Sequence, residues 1–374
     1  MSLLNYILWN VSPEIFSIGP LTVRWYGLLF ATGFLVGQQI LIRIYKQEGK
    51  TEKHVETLTI YMLIATIVGA RLGHCLFYQP DYYLTWDHFI EILYIWEGGL
   101  ASHGATVGIL LGIYLYSKKQ VDQSYLYVLD RLVIVIALAG ALIRTGNLMN
   151  SEIIGTPSSL PTSFIFAHSL DNFLETNPNY EKAIQEVWFT KRNVDSITEN
   201  GLTLTGLNLN ILLAEKNVKP EDINSFVQIY IKAPLTKPGS EISEHFMVNQ
   251  GKLNFNTSYN EEGYPVISVD VWGIPRHASQ LYEAISSLLI FFLLLYIYNL
   301  KKGKTPEGRL FGLFVILIFG LRFLYEYFKE PQVDFEIEMV QTYGINMGQL
   351  LSIPLIIAGI FILLRSFKKR DEIV

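Results

Sequence analysis

Charge is scarce in this chain. Only 17% of its 374 residues are charged, against roughly 25% in an ordinary soluble domain. Acidic residues outnumber basic ones, for a net charge of -5. No basic stripe interleaved with aromatics runs along it, so no nucleic acid partner is expected. Cysteine is nearly absent: Cys75 stands alone inside an apolar run, which excludes a disulfide framework and a thiolate metal site. There is no fixed-period repeat and no low-complexity tract. Met1 to Pro20 lacks a basic segment followed by a small-residue cleavage site. No removable signal peptide is expected, and the first long apolar run is read as a membrane span.

What the chain has instead is hydrophobic residues, half of the total, gathered in long runs. A spanning helix needs roughly 20 mainly apolar residues. Seven segments qualify: Leu21–Ile42, Glu56–Phe77, Gly98–Ser117, Tyr125–Thr145, Ser279–Leu300, Gly308–Phe328 and Met347–Arg365. Glycine recurs inside them, as at Gly33, Gly69, Gly108 and Gly320, in keeping with close helix packing in membranes. Basic residues collect in alternate connections: Arg43, Lys46, Lys50 and Lys53; Lys118 and Lys119; Lys301, Lys302, Lys304 and Arg309; and Lys368, Lys369 and Arg370 at the end. With seven spans these four stretches share one side, which the positive-inside bias makes cytoplasmic. The N-terminus is then extracytoplasmic and the C-terminus cytoplasmic.

Between the fourth and fifth spans lies a long polar stretch, roughly Thr156 to Arg276. Gly201–Leu209, Ser225–Ala233 and Val266–Val271 alternate like strands, and Pro220–Asp222 reads as a turn or helix start. The expected fold is an all-α polytopic membrane protein. It has seven transmembrane helices and a small mixed α/β extracytoplasmic domain inserted between helices four and five. The corresponding division is residues 1–155 for helices one to four with the loop after them, 156–276 for the inserted domain, and 277–374 for the rest.

Ionisable side chains within membrane spans are costly and mark functional sites by default. Here they are Arg24, Arg71 with His74, His103, Arg144, Glu283, and Arg322 with Glu326. Snorkelling or packing ion pairs would account equally well for Arg24, Arg71 and Glu283. Arg144 and Arg322 fall near the outer ends of their spans, and a guanidinium fork suits a phosphate at a partly dry site. Arg322 and Glu326 are one turn apart, as are Arg144 and Asn147 if the helix continues. His103 sits among small residues in Gly98-Gly99-Leu100-Ala101-Ser102-His103-Gly104. An imidazole titrating near about 6.5 is a natural proton acceptor, although a lone histidine is more often a satisfied core residue. The stretch from Arg144 to Gly155 joins a span to an outer loop and holds two glycines besides Asn147, Asn150 and Glu152. These residues point to a cationic, hydrogen-bonding site for an anionic amphiphile near the outer face. They do not by themselves specify a reaction.

That stretch resembles the signature of the prolipoprotein diacylglyceryl transferase family, Arg-x-Gly-Asn-x-x-Asn-x-Glu-x-x-Gly, through Arg144, Gly146, Asn147, Asn150, Glu152 and Gly155. Further matches follow in family order: Trp25-Tyr26-Gly27, Gly69-Ala70-Arg71, Gly98-Gly99 with His103-Gly104, Arg276-His277, Ser279 to Glu283, Gly320-Leu321-Arg322 with Glu326, and Met347-Gly348-Gln349. The resemblance implies a bacterial inner-membrane enzyme without a cofactor or metal. Its substrates would be phosphatidylglycerol and a prolipoprotein signal peptide with a lipobox cysteine. It would move sn-1,2-diacylglyceryl to the cysteine thiol and release glycerol phosphate. Arg144 and Arg322 would bind the lipid phosphate. His103 would be a candidate base, with thiol activation by the local positive potential equally compatible. Tyr26, Asn147, Glu152, Gly155 and Glu326 would shape the site. Three features depart from the pattern. Ile318 replaces a tyrosine often found four residues before the last arginine, Ala278 replaces a proline, and the outer stretch is long. The main alternative is a transporter or flippase of an anionic lipid, though no internal symmetry supports it. An intramembrane hydrolase would need a nucleophile elbow or zinc motif that the chain lacks.

Overall fold

The computed structural model describes residues 6–19, 21–95, 99, 101–176, 182–194, 196–199, 201–237, 239–248, 253–301, 303–330 and 334–368. Gly98, Leu100, Lys302, Lys369 and Arg370 lie outside the described residues. The chain opens with β1 (Ile7–Trp9), β2 (Glu14–Ile18) and β3 (Leu21–Arg24). It continues through α1 (Trp25–Gln47), α2 (Glu52–Phe77), the short α3 (Pro80–Tyr83), α4 (Ser102–Lys119) and α5 (Tyr125–Met149). Then come β4 (Phe164–Phe166), α6 (His168–Thr176), β5 (Ile184–Lys191), β6 (Ile197–Glu199) and β7 (Leu202–Leu213). The helices α7 (Pro220–Phe226), α8 (Ala233–Thr236) and α9 (Glu241–His245) precede β8 (Phe246–Met247), β9 (Phe255–Tyr259) and β10 (Pro265–Gly273). Four helices close the chain: α10 (Ser279–Leu300), α11 (Arg309–Tyr325), α12 (Asp334–Tyr343) and α13 (Met347–Lys368).

The protein is a polytopic helical membrane protein. Among the described residues, six helices are long and apolar enough to cross a bilayer: α1, α2, α5, α10, α11 with its 3-10 extension to Phe328, and α13. The third expected span, Gly98–Ser117, corresponds to α4, which is not among them. It has 18 residues, and its ends are spent on His103, Lys118 and Lys119. The first span also starts later than expected. Residues Leu21–Arg24 pair antiparallel with β2, so Arg24 precedes the candidate span Trp25–Gln47; its exposed guanidinium meets Glu14 at 3.1 Å.

Two compact units form. One comprises residues 1–28, 144–283 and 325–344; the other comprises 29–143, 284–324 and 345–374. In the second, glycines let α2 and α4 approach closely: a Cβ on Gly73 would fall 2.6 Å from the Cα of Gly104, and one on Gly69 2.9 Å from the Cα of Gly108. Small residues allow this contact where lipid tails leave no hydrophobic drive between helices. Tyr45, Leu58, Tyr116, Val128, Ile134 and Leu294 lie in the buried core of this unit. The buried Asp130 carboxylate accepts from the backbone N–H groups of Gly308 and Phe311, both at 2.8 Å, and so caps the start of α11.

The first unit is built on a six-stranded sheet in which β7 pairs with β5, β6 and β10, and β10 also pairs with β8 and β9, all antiparallel. Leu207, Leu209 and Ile211 face Val271, Val269 and Ile267 across the ladder, and all six are buried. Cross-strand apolar pairs of this kind are the unit of sheet stabilisation. Packed against them are Ile223, Val227, Ile231 and Leu235. This corrects one expectation: Ser225–Ala233 is helical, running from α7 through a π-helical stretch, Val227–Lys232, to α8. The four-residue spacing of the buried side chains outweighs the two-residue alternation that suggested a strand, because it is the helical face that meets the sheet. Beside the sheet, β1 pairs parallel with β4.

Candidate functional site

The polar stretch singled out in the sequence begins inside α5 and leaves it through a strained turn. Because α5 runs to Met149, Arg144 and Asn147 share a face, and Arg144 Nη1 donates to Asn147 Oδ1 at 3.3 Å. Asn147 Nδ2 donates to Glu152 Oε2 at 3.1 Å, and Asn150 Nδ2 to Glu152 Oε1 at 3.0 Å. Two neutral amides therefore orient one carboxylate. The turn places Ser151 at φ 53° and Ile153 at φ 58°. Left-handed backbone at a β-branched residue costs on the order of 1–3 kcal/mol and persists only where its surroundings impose it. The start of α10 imposes it here. Ser279 Oγ donates to the Ile153 carbonyl at 2.6 Å, and Gln280 Nε2 donates to the Glu152 carbonyl. Both side chains are buried.

The glycines of this stretch answer to close approach. A Cβ on Gly146 would lie 2.9 Å from Tyr26 Cδ2 and 3.1 Å from its Cα, so Tyr26 packs on the bare backbone. A Cβ on Gly155 would lie 2.6 Å from the Phe328 carbonyl oxygen and 2.6 Å from His277 Cβ. Gly155 N–H donates to His277 O at 3.0 Å, and Thr156 N–H to Phe328 O at 2.8 Å. The buried Arg276 guanidinium adds a further tie. It donates to the carbonyls of Gly155, at 3.1 Å, and Glu244, at 2.7 Å, and meets Glu330 at 2.5 Å. Burial lowers the pKa of His277. His245 is pushed down to about 3, by burial first and then by the charge of Arg276. Both imidazoles are neutral at physiological pH.

An alternating row of charge lines this region. Arg144 Nε meets Glu283 Oε2 at 2.5 Å. Lys329 Nζ meets the other Glu283 oxygen, and also Glu326 Oε1 at 3.2 Å. Glu283, in the sequence only an intramembrane charge, is thus the direct partner of Arg144. Sequence reasoning misses Lys329. It falls just after the sixth expected span, among residues given no role, yet its three-residue spacing from Glu326 is a usable signal. Ser279, Gln280 and Arg276 carry no role in the sequence reading, because their partners are backbone carbonyls far away in sequence.

Of the expected site residues, Tyr26, Arg144, Asn147, Glu152, Gly155 and Glu326 fall in this first unit, whereas His103 and Arg322 fall in the second. Arg322 occupies the last turn of α11. His103 starts α4, with its ring 5.4 Å from Phe77 and 5.6 Å from Tyr78. It lies along an apolar groove of about 780 Å³ between α2 and α4. Arg71 holds backbone in place. It donates to the carbonyls of Ile92 at 3.0 Å and Glu91 at 2.5 Å, with the Tyr83 ring 5.0 Å from its guanidinium carbon. Ile318 packs with the apolar core of the second unit, and Ala278 is buried beside Leu148, Phe164 and Phe166.

Fold and site together define a multi-pass membrane protein in which a row of alternating charges accompanies a strained polar loop at the end of a span. Within that class the sequence is specific. The sequence model of the prolipoprotein diacylglyceryl transferase family matches residues 13–365, and the chain belongs to that family. It is 34% identical over 364 residues to the phosphatidylglycerol–prolipoprotein diacylglyceryl transferase of Tolumonas auensis, covering 97% of this chain and 99% of the relative. It is 33% identical over 366 residues to the enzyme of the same name from Chloroherpeton thalassium, covering 98% and 96%. The match to that of Porphyromonas gingivalis is 31% over 370 residues, covering 98% and 97%.

Proposed function

We propose that the protein transfers the sn-1,2-diacylglyceryl group of phosphatidylglycerol to the lipobox cysteine of a prolipoprotein. The observation that carries this reading is family membership over nearly the whole chain, together with an intact, tightly held signature loop. In the reaction the cysteine sulfur bonds to the terminal glyceryl carbon of the diacylglyceryl group while that carbon's bond to the phosphate oxygen breaks. The products are a thioether and glycerol phosphate, and the thiol proton passes to a base or to the departing phosphate.

Charge develops on the leaving phosphate, so preorganised donors aimed at it lower the barrier. Arg144 and Arg322 fill that role in this reading, because each guanidinium remains charged and donates in a planar fork. The attacking thiol, with an ordinary pKa near about 8.5, gains from deprotonation. His103 serves as its base, or the local positive potential does. Tyr26, Asn147, Glu152, Gly155 and Glu326 shape the site around the two substrates.

The bilayer is the inner membrane of a bacterium, with the N-terminus extracytoplasmic and the C-terminus cytoplasmic, as the basic connections support. In this topology α4 is the third of seven spans. Its 18 residues reach about 27 Å, close to a hydrocarbon core of about 30 Å. The inserted stretch, residues 156–276, then stands on the extracytoplasmic side, where the precursor peptide arrives.

The direct test mixes purified protein with phosphatidylglycerol and a synthetic lipobox peptide and reads the peptide mass. A diacylglyceryl thioether that vanishes when the cysteine becomes serine, with glycerol phosphate released, is the expected outcome. Arg144→Ala and Arg322→Ala should each abolish transfer while still inserting in the membrane. Folded protein that gives no product across several lipids and peptides would shift the reading to lipid binding or transport.

A further inference from the structure

Arg144 is the signature arginine, yet its Nε is committed to Glu283 and its Nη1 to Asn147. A guanidinium locked to a mostly buried carboxylate is a weakened anion receptor, because an incoming phosphate must compete with that carboxylate. The row of charges continues past Glu283. The Lys329 ammonium sits between Glu283 and Glu326, and these three side chains are 9–11% exposed. Its backbone is also fixed: Lys329 bridges Gly155, and the Thr156 N–H bonds to the preceding residue, Phe328. The ammonium therefore rides on a segment paired with the end of the signature loop.

We propose that Lys329 is a positioning residue for the phospholipid phosphate, acting through Glu283 on Arg144. By drawing the second Glu283 oxygen and Glu326 to itself, it spreads their negative charge over two cations. Arg144 is left with more of its positive charge for an incoming anion. Without Lys329 the Glu283 carboxylate loses one of the two cations that it meets and takes a larger share of Arg144. The anion that benefits is a phosphodiester headgroup, in keeping with the proposed lipid substrate, and the inference rests on that reading.

The experiment compares full-length wild-type protein with Lys329→Met, Lys329→Arg, Glu283→Gln and the Glu283→Gln/Lys329→Met double variant. Steady-state transfer to a lipobox peptide is followed while phosphatidylglycerol is varied. Binding of dioctanoyl-phosphatidylglycerol is measured on the same samples by calorimetry. Lys329→Met should lower kcat/KM at least about tenfold, chiefly through KM for the lipid, with a parallel loss in calorimetry. Lys329→Arg should stay within about threefold of wild type, since the cation is kept. The double variant should be more active and bind more tightly than Lys329→Met alone, because removing the Glu283 charge releases Arg144. A merely structural role would not produce that recovery.

Lys329→Met within about twofold of wild type, or a double variant weaker than Lys329→Met in both measurements, overturns the proposal. If Lys329→Met does not fold, the double variant measured against Glu283→Gln decides: near-equal binding supports the charge balance, and a further large loss refutes it. Wild-type protein that binds lipid but transfers nothing would count against the reaction, and the binding series would still judge Lys329.

Discussion

Gly155→Ala is the sharpest test of how the signature loop is held. The added Cβ would stand 2.6 Å from the Phe328 carbonyl oxygen and from His277 Cβ, and 2.7 Å from the His277 carbonyl oxygen. Ordinary contact needs about 3.5 Å, so each neighbour must retreat by nearly 1 Å. Two of the three are backbone oxygens already in use: His277 O accepts from Gly155 N–H at 3.0 Å and Phe328 O from Thr156 N–H at 2.8 Å. A retreat of that size breaks both bonds, at about 1 kcal/mol each, and overpacking adds about 1–3 kcal/mol. The expected destabilisation is about 3–5 kcal/mol, concentrated at the junction of residues 155–156, 277 and 328–329. A shift of about 1 Å in groups that position a substrate can lower turnover about a hundredfold. The assay pairs thermal unfolding in detergent with the lipidation rate. Gly140→Ala is the control: its Cβ would meet nothing nearer than Ser287 Oγ at 3.8 Å, and alanine is the better helix former by about 1 kcal/mol. Gly155→Ala with wild-type melting and wild-type turnover would refute the close-packing account of this loop.

Three further outcomes are expected. Ser279→Ala removes the donor that holds the Ile153 carbonyl at 2.6 Å and should lower stability by about 1–3 kcal/mol, with a larger fall in transfer than in melting temperature because the strained turn relaxes. Arg71→Met should loosen the stretch around Glu91 and Ile92, whose carbonyls Arg71 holds, and faster proteolysis or hydrogen exchange there would check it. The stability of the inserted sheet should fall with acid. His245 has a folded pKa of about 3 against 6.5, so below pH 6.5 the unfolded chain takes up a proton that the folded one refuses. Stability is full above that pH and declines toward pH 3, by about 2 kcal/mol at pH 5 and about 3 kcal/mol at pH 4. Exchange of the β7 and β10 amides reads the decline, and His245→Gln should flatten it.

The spans are legible in the sequence because a bilayer demands long apolar runs, and such runs survive any ignorance of tertiary contacts. Where helix begins is not written in those runs. Leu21–Arg24 is as apolar as the start of α1, yet it is a strand, because pairing with β2 satisfies its backbone before the helix starts. The same ambiguity reverses the reading of Ser225–Ala233. Its alternation is real, but Ile223, Val227, Ile231 and Leu235 make a better apolar stripe once a sheet is present to receive them. α4 is the opposite case: its two terminal lysines and His103 dilute a run that the glycine contact with α2 still ties closely to that helix.

The site divides along a different line. Arg144, Asn147 and Glu152 are readable because their partners lie within a few residues, on one helix face or one turn. Ser279, Gln280 and Arg276 stand in the sequence without a role because they act on backbone carbonyls more than a hundred residues away, or in a separate loop. A backbone acceptor has no letter in the sequence. Lys329 is intermediate, since its spacing to Glu326 is visible while its tie to Glu283 is not. Intramembrane charge is ambiguous for the same reason. Arg24, Arg71, Arg144 and Glu283 are one kind of signal in the sequence. The structure turns them into an exposed surface pair, a backbone clamp and a charge-sharing row. Arg71 spends Nε and Nη2 on backbone carbonyls, whereas Arg144 meets a carboxylate that a second cation also meets. The difference between Arg71 and Arg144 is therefore one of partners, and partners are set by the fold.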